Sequence, residues 1–313
     1  MLVNPKALFC TICSAVIIAF HPFESEAQIK QTNSAKTVAD LSLSARAGDA
    51  EALGMLTTLA TGGDAEAQVR LGIMFNFGWG VSKDLEQAFG WYRKAAEQGN
   101  AGAQISTAFA YHFGEGVSKD AVQAVIWYRK AAEQGHSSAQ QSLGFMYEEG
   151  KGVPKDAKQA AYWYRKAAEQ GNALAQLNLG NIFSRGEGAP KDAKQAAYWY
   201  RKAAEQGNPD GQFNLGLMYD NGKGVPKSAA DAVYWYRKAA EQGDSDAQSN
   251  VGAKYARGEG VPRDLVISYM WRNLAAAQGN EIAMRAREAL ESDMTREQIA
   301  EAQKLSREWK PKK

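Results

Sequence analysis

Catalysis needs a nucleophile beside a base, or a cluster of metal ligands, and tight anion binding needs a cradle of backbone amides. Beyond residue 27 the chain has two histidines, His112 and His136, set 24 residues apart and too isolated to make a ligand set. The same stretch has no H-E-x-x-H, C-x-x-C or G-x-S-x-G, and no serine in the chain is followed three residues later by lysine. A G-x-G pair recurs six times, as in Gly150 and Gly152. It has no third glycine in register, no Gly-Lys-Ser and no predicted strand beside it, so it reads as a helix stop and not as a phosphate loop. We therefore expect no catalytic residue, no cofactor and no metal. What remains is binding chemistry. Asn178, Asn214 and Asn250 recur at intervals of 36 residues, and a column of amides offers both donor and acceptor to the backbone of an extended peptide. Phe77, Phe109 and Phe113 offer apolar anchorage, while Arg70, Arg185 and Arg257 offer charge to an acidic stretch.

The elements that must position these residues follow from one period. Trp91, Trp127, Trp163, Trp199, Trp235 and Trp271 are each 36 residues apart, which makes residues 64–279 six tandem repeats. Two modules recur. The first is clearest as AQQSLGFMYEEGKG from Ala139 to Gly152, where Ala139, Leu143 and Tyr147 fall on one helical stripe. Gly144 beside that stripe leaves room for a neighbouring helix, and only Ala108 breaks the corresponding glycine series. The second module, KDAKQAAYWYRKAAEQGN, is identical at Lys155–Asn172 and Lys191–Asn208. Its Asp156 and Gln159 predict an N-terminal capping box, repeated as Asp84/Gln87, Asp120/Gln123 and Asp192/Gln195. The tryptophans read as core wedges. Two such short helices cannot bury their apolar faces alone, so each hairpin must stack on its neighbours.

The ends differ from the repeats. Ala7–Phe20 is an apolar run of 14 residues behind a single charge, Lys6, and Ser25-Glu26-Ala27 follows it. That is the pattern of a signal peptide over residues 1–27, with an uncleaved anchor as the alternative. Cys10 and Cys13 both lie inside it, so the processed chain would hold no thiol and need no disulfide. Residues 28–63 read as a linker and N-terminal capping helices. Residues 280–313 read as C-terminal capping helices and a tail, started at Thr295/Gln298 and docked by Trp309. The net charge of +2 becomes +3 without the leader, and its signs alternate along the repeats. No basic stripe marks a nucleic-acid partner, and no membrane contact is expected beyond the export signal.

The G-x-G-V-x-K-D, W-Y-R-K-A-A-E-Q-G and A-Q-x-x-L-G-x-x-Y signatures resemble Sel1-like repeats, relatives of the tetratricopeptide class. The resemblance implies an all-α fold, a right-handed α/α superhelix (solenoid) of helical hairpins. It also implies an adaptor or scaffold acting in the periplasm or outside the cell. A cysteine-rich branch of that family is associated with β-lactams, but no repeat here contains cysteine. A cell-wall or β-lactam-related hydrolase and a self-assembling envelope component stand as alternatives. By likeness to tetratricopeptide solenoids, positions 70, 73, 76 and 77 of the first helix and their equivalents would line a concave face. Position 70 runs Arg70, Ser106, Ser142, Asn178, Asn214, Asn250, and position 77 runs Phe77, Phe113, Glu149, Arg185, Asn221, Arg257. The expected partner is a protein or extended peptide, apolar at one end and acidic at the other, with self-association possible. Polar replacement of Phe77 and Phe113 is expected to abolish partner binding and leave helicity, read by circular dichroism, unchanged.

Overall fold

The computed structural model describes residues 36–312, so the predicted leader, its cleavage site and both cysteines lie outside the described residues. Within them the chain forms sixteen α-helices and no strand, an all-α helical-hairpin solenoid. It divides into two units, residues 1–156 and 157–313. The first unit holds α1 (Val38–Arg46), α2 (Ala50–Thr61), α3 (Ala65–Phe77), α4 (Leu85–Glu97), α5 (Ala101–Phe113), α6 (Ala121–Glu133) and α7 (Ser137–Glu149). The second holds α8 (Ala157–Glu169), α9 (Ala173–Arg185), α10 (Ala193–Glu205), α11 (Pro209–Asn221), α12 (Ala229–Glu241), α13 (Ser245–Arg257), α14 (Leu265–Ala277), α15 (Glu281–Glu291) and α16 (Arg296–Glu308).

Local chemistry fixes where these helices begin and end. Asp64, Asn100, Asn172, Asn208 and Asp244 cap first helices of the hairpins by accepting a backbone N–H of the first turn. His136 holds the same place before α7 and makes no side-chain cap. Asp84, Asp120, Asp192, Ser228 and Asp264 cap second helices. The reciprocal boxes predicted at Asp84, Asp120 and Asp192 are not formed. The N–H of each capping aspartate is already given to a first-helix carbonyl, of Phe75, Tyr111 and Phe183 respectively. Gln87 donates to the Asp84 carboxylate instead of accepting from its backbone. Reciprocal boxes stand at the ends, at Thr37/Asp40 and at Thr295/Gln298.

The two glycines of G-x-G do different work. The first takes a left-handed conformation as the C-cap of a first helix, as Gly114 does at φ +75°. The second also has positive φ, and it lies against the backbone of the preceding hairpin. A Cβ on Gly116 would collide with the Leu85 carbonyl, and one on Gly224 with that of Ala193. The pair is thus a helix stop and a stacking contact together.

In three of the hairpins a further glycine admits an aromatic ring. A Cβ on Gly72 would stand 2.6 Å from the ring of Tyr92, and one on Gly180 or Gly216 equally close to Tyr200 or Tyr236. The tyrosine that follows five of the six marker tryptophans is the deeper wedge. Tyr92, Tyr128, Tyr164, Tyr200 and Tyr236 are all buried, whereas Trp91, Trp199 and Trp235 are only partly so. In the first helix the core stripe is Ala67, Leu71 and Met74, with Phe75 turned partly outward.

Polar side chains also enter the stack, which the apolar period does not reveal. Gln104 donates to the Ala96 carbonyl of the preceding helix at 3.2 Å and accepts at 2.8 Å from Gln134, which also reaches the Gly99 carbonyl. Gln212, Ala204 and Gln242 repeat the set in the second unit, and Gln248 and Gln278 extend it. Gln68, Gln104, Gln140, Gln176, Gln212 and Gln248 are all buried. After the last hairpin α15 and α16 both pack on α14, and Trp309 meets Trp271 edge-on at 6.1 Å.

Two alanine substitutions separate the structural roles of glycine. Gly180→Ala forces a methyl group into the Tyr200 ring and is expected to cost about 1–3 kcal/mol. Gly90→Ala, in the interior of α4 with nothing within 4 Å of the new Cβ, is expected to stabilise by about 0.5–1 kcal/mol. Urea midpoints of the two variants check both signs.

Candidate protein-binding surface

With Ala67, Leu71 and Met74 turned into the core, Arg70 and Phe77 lie on the flank of that stripe on α3, and their equivalents hold the same positions on the other first helices, Ser142 among them being buried. The two units present different chemistry there. In the first, Arg70 is paired with Glu66 at 3.2 Å, one turn back on its own helix. Phe77 is 42% exposed and stacks on Trp79 at 4.9 Å, and the Arg46 guanidinium covers Trp79 at 3.7 Å. Phe109 and Phe113 lie 4.5 Å apart, both half-buried. They continue into a stack with His112, parallel to Phe113 at 4.5 Å, and then Phe145 at 6.3 Å, over which Lys151 sits at 4.7 Å. Phe109 and Phe113 are therefore together, while Phe77 belongs to a separate aromatic pair. Phe113 also supports a buried histidine, so Phe77 is the cleaner of the two positions for testing binding.

In the second unit Asn178, Asn214 and Asn250 occupy the same place on α9, α11 and α13. Each is half-buried, and none of their side-chain amides is hydrogen-bonded among the described residues. Arg185 and Arg257 are exposed at the C-terminal ends of α9 and α13. Arg257 comes no nearer than 3.9 Å to Glu259. The neighbouring Asn181 is spoken for, accepting from the Tyr200 hydroxyl at 2.8 Å. The amide column is thus spaced by its helices and half-buried, without side-chain hydrogen bonds among the described residues.

Sequence reading missed a buried charge near this face. Lys254, 5% exposed, stands where other repeats place methionine, isoleucine or alanine, and donates to Asp220 at 2.5 Å and Glu259 at 2.9 Å. Burial alone would lower the pKa of this ammonium, but the two carboxylates outweigh it and raise it. Arg272 likewise replaces the tyrosine of the last repeat, lies against Gly252 and donates to the Ala286 carbonyl at 2.8 Å. The signal was present as two departures from an otherwise apolar series. Among the described residues no three histidine, cysteine, aspartate or glutamate side chains are grouped to hold a metal ion. No helix there is long and apolar enough to cross a membrane.

Stacked two-helix units with glycine-stopped first helices define an α-solenoid of the tetratricopeptide class. More narrowly, the chain belongs to the Sel1 repeat family, whose profile matches residues 65–100, 101–136, 137–172, 173–208, 209–244 and 245–280. Folds of this kind are typical of non-catalytic protein-interaction scaffolds. Among solved structures, a Sel1 repeat protein from Oxalobacter formigenes is 34% identical with a TM-score of 0.71, covering 82% of this chain and 76% of that one. A protective antigen with this fold, c5321 of uropathogenic Escherichia coli, is 29% identical with a TM-score of 0.50, covering 87% of this chain and 83% of that one. No curated protein matches the chain.

His112 gives this surface a pH dependence. Burial, reinforced by Lys151 and Lys119, pulls its pKa down from 6.5 to about 4. Between those values the unfolded chain binds a proton that the folded chain refuses, so stability rises with pH through this window and is complete above it. Wild type is expected to lose up to about 3 kcal/mol on going from pH 7 to pH 4 through this group. His112→Phe keeps the stack and should remove that share, read as the difference between the two proteins' urea midpoints across the range.

Proposed function

We propose that the protein is an exported, non-catalytic adaptor that holds a partner protein or extended peptide on the first-helix face of its repeats. The observation that carries the reading is the column of unengaged amides at Asn178, Asn214 and Asn250. Each amide can donate to a carbonyl and accept from an N–H of a strand laid across the helices, and neither bond depends on the strand's side chains. Arg185 and Arg257, exposed at the ends of their helices, add recognition of carboxylates. In the first unit the Phe77–Trp79 pair offers a rigid apolar anchor. Export rests on the apolar run Ala7–Phe20 and the small residues that follow it. The E. coli relative, described as a protective antigen, supports a place where antibodies can reach, outside the cytoplasm.

Crosslinking of the tagged protein in its native compartment, with mass spectrometry of what is captured, identifies the partner. The triple variant Asn178→Ala, Asn214→Ala, Asn250→Ala is expected to weaken its binding by about 10- to 100-fold, one modest hydrogen-bonding site per repeat. Its unfolding midpoint should stay unchanged. Undiminished binding by the triple variant would remove this face from consideration, and recovery of the protein alone would favour self-assembly.

A further inference from the structure

The second helices of the second unit carry a tyrosine at one repeated position: Tyr162 on α8, Tyr198 on α10 and Tyr234 on α12. They are 49%, 50% and 52% exposed, so half of each ring faces water in a fold that has already buried the neighbouring tyrosine. Each ring is held edge-on against the next tryptophan at 4.9 Å. Lys166, Lys202 and Lys238, one turn on, set their ammonium groups over these rings at 5.3, 5.8 and 5.7 Å. The rings are therefore fixed in place before any partner arrives, and ordering them on binding costs little.

The last repeat shows what this position can accept. Its equivalents of tyrosine and lysine are Met270 and Leu274, and there the face is covered. Helix α16 lies on α14, where the Ser306 hydroxyl donates to the Met270 carbonyl at 3.4 Å, and Leu305 and Trp309 pack into the cluster that holds Met270, Trp271 and Leu274. Met270 is left only 8% exposed. The occupant is an amphipathic helix with small residues, Ala302 and Ser306, buried against its support.

The exchange of Met/Leu for Tyr/Lys sets the chemistry of an occupant elsewhere on the face. Methionine and leucine suit permanent apolar cover. Tyrosine keeps an apolar wall, but a lysine beside it cannot be covered without a compensating charge. The shared sequence of α8 and α10, AKQAAYWYRKAAE, has three cations to one carboxylate, and α12 balances two with two, so the face is basic in sum and the compensation must be acidic. We propose that the face formed by α8, α10 and α12 docks an amphipathic helix of a partner protein, its apolar stripe on the tyrosine rings and its glutamates or aspartates on Lys166, Lys202 and Lys238. This surface does not involve the asparagine column and stands or falls independently of it.

The probe is a fluorescein-labelled synthetic peptide in the register of residues 296–309. It keeps Ile299, Ala302, Leu305, Ser306 and Trp309, and carries glutamate in place of Arg296, Lys304 and Arg307. Fluorescence anisotropy with the full chain should show saturable binding that weakens as salt is raised. Tyr198→Ser/Tyr234→Ser should weaken it at least tenfold, while the triple asparagine variant should leave it unchanged. Lys202→Glu/Lys238→Glu should lose the acidic peptide and gain one with the original basic residues, which covers the case of a tyrosine variant that folds poorly. The proposal is overturned by failure to saturate, by binding indifferent to both variants, or by equal binding of the basic peptide to the wild-type chain. Sedimentation of the wild type as a dimer that the tyrosine variant dissolves would also overturn it, by making the occupant a second copy.

Discussion

Each hairpin can sit on the one before it in only one register, because its buried glutamine must find two partners at once. Gln104 has to reach the Ala96 carbonyl behind it and receive Gln134 from the helix ahead. An apolar stack alone would tolerate sliding, since alanine on alanine looks alike at many offsets. An amide left unbonded inside it would cost on the order of 1–3 kcal/mol, and the same penalty recurs in every repeat. The second glycine of each G-x-G adds a steric limit to this polar one, because only a residue without Cβ can touch the preceding backbone so closely. Everything at the surface inherits its spacing from these two constraints.

The fold was legible because the repeat compares six versions of the same sentence. A glycine that could mean many things in one copy means a left-handed cap when it ends a helix in all six, and the φ values agree. Other features were hidden by the same averaging. Tryptophan draws the eye as the rarest of the phenylalanine, tyrosine and tryptophan residues, yet the tyrosine beside it occupies the notch opposite Gly72, Gly180 and Gly216. Heptad-like counting cannot rank two adjacent aromatic residues, because the choice depends on the shape of the facing helix. The capping boxes failed for a similar reason. Asp84 and Gln87 have the right spacing, but the Asp84 N–H goes to Phe75 in another helix, a competitor that local sequence does not show.

At the candidate surface, position in the repeat does not reveal the company a side chain keeps: Ser142, the equivalent of Arg70, is buried. Asn178, Asn214 and Asn250 are half-buried and make no side-chain hydrogen bond among the described residues. Phe109 and Phe113 were assigned apolar anchorage, but His112 and Phe145 close on them to form a stack. Arg70 was grouped with the asparagines and is instead engaged by Glu66. Long side chains find neighbours that a helical wheel does not show.

The terminal repeat carries this argument one step further. A repeat array must end, and its last hairpin has an apolar face that no further repeat will cover. Here the sequence changes: Met270 and Leu274 stand where tyrosine and lysine stood, Arg272 bonds to Ala286 in the first closing helix, and Ser268 bonds at 2.7 Å to the Gly252 carbonyl of its own hairpin. Lys254, held between Asp220 and Glu259, adds a polar pairing at the joint between the fifth and sixth hairpins that an apolar hairpin could not satisfy. Polar groups of this kind contribute little net stability, but they penalise the wrong neighbour by leaving a buried charge unpaired. The same logic distinguishes a face meant to stay covered from one that remains in water. Where the chain supplies its own cover the residues are apolar, and where it leaves tyrosine under lysine, any occupant must bring opposite charge and can leave again.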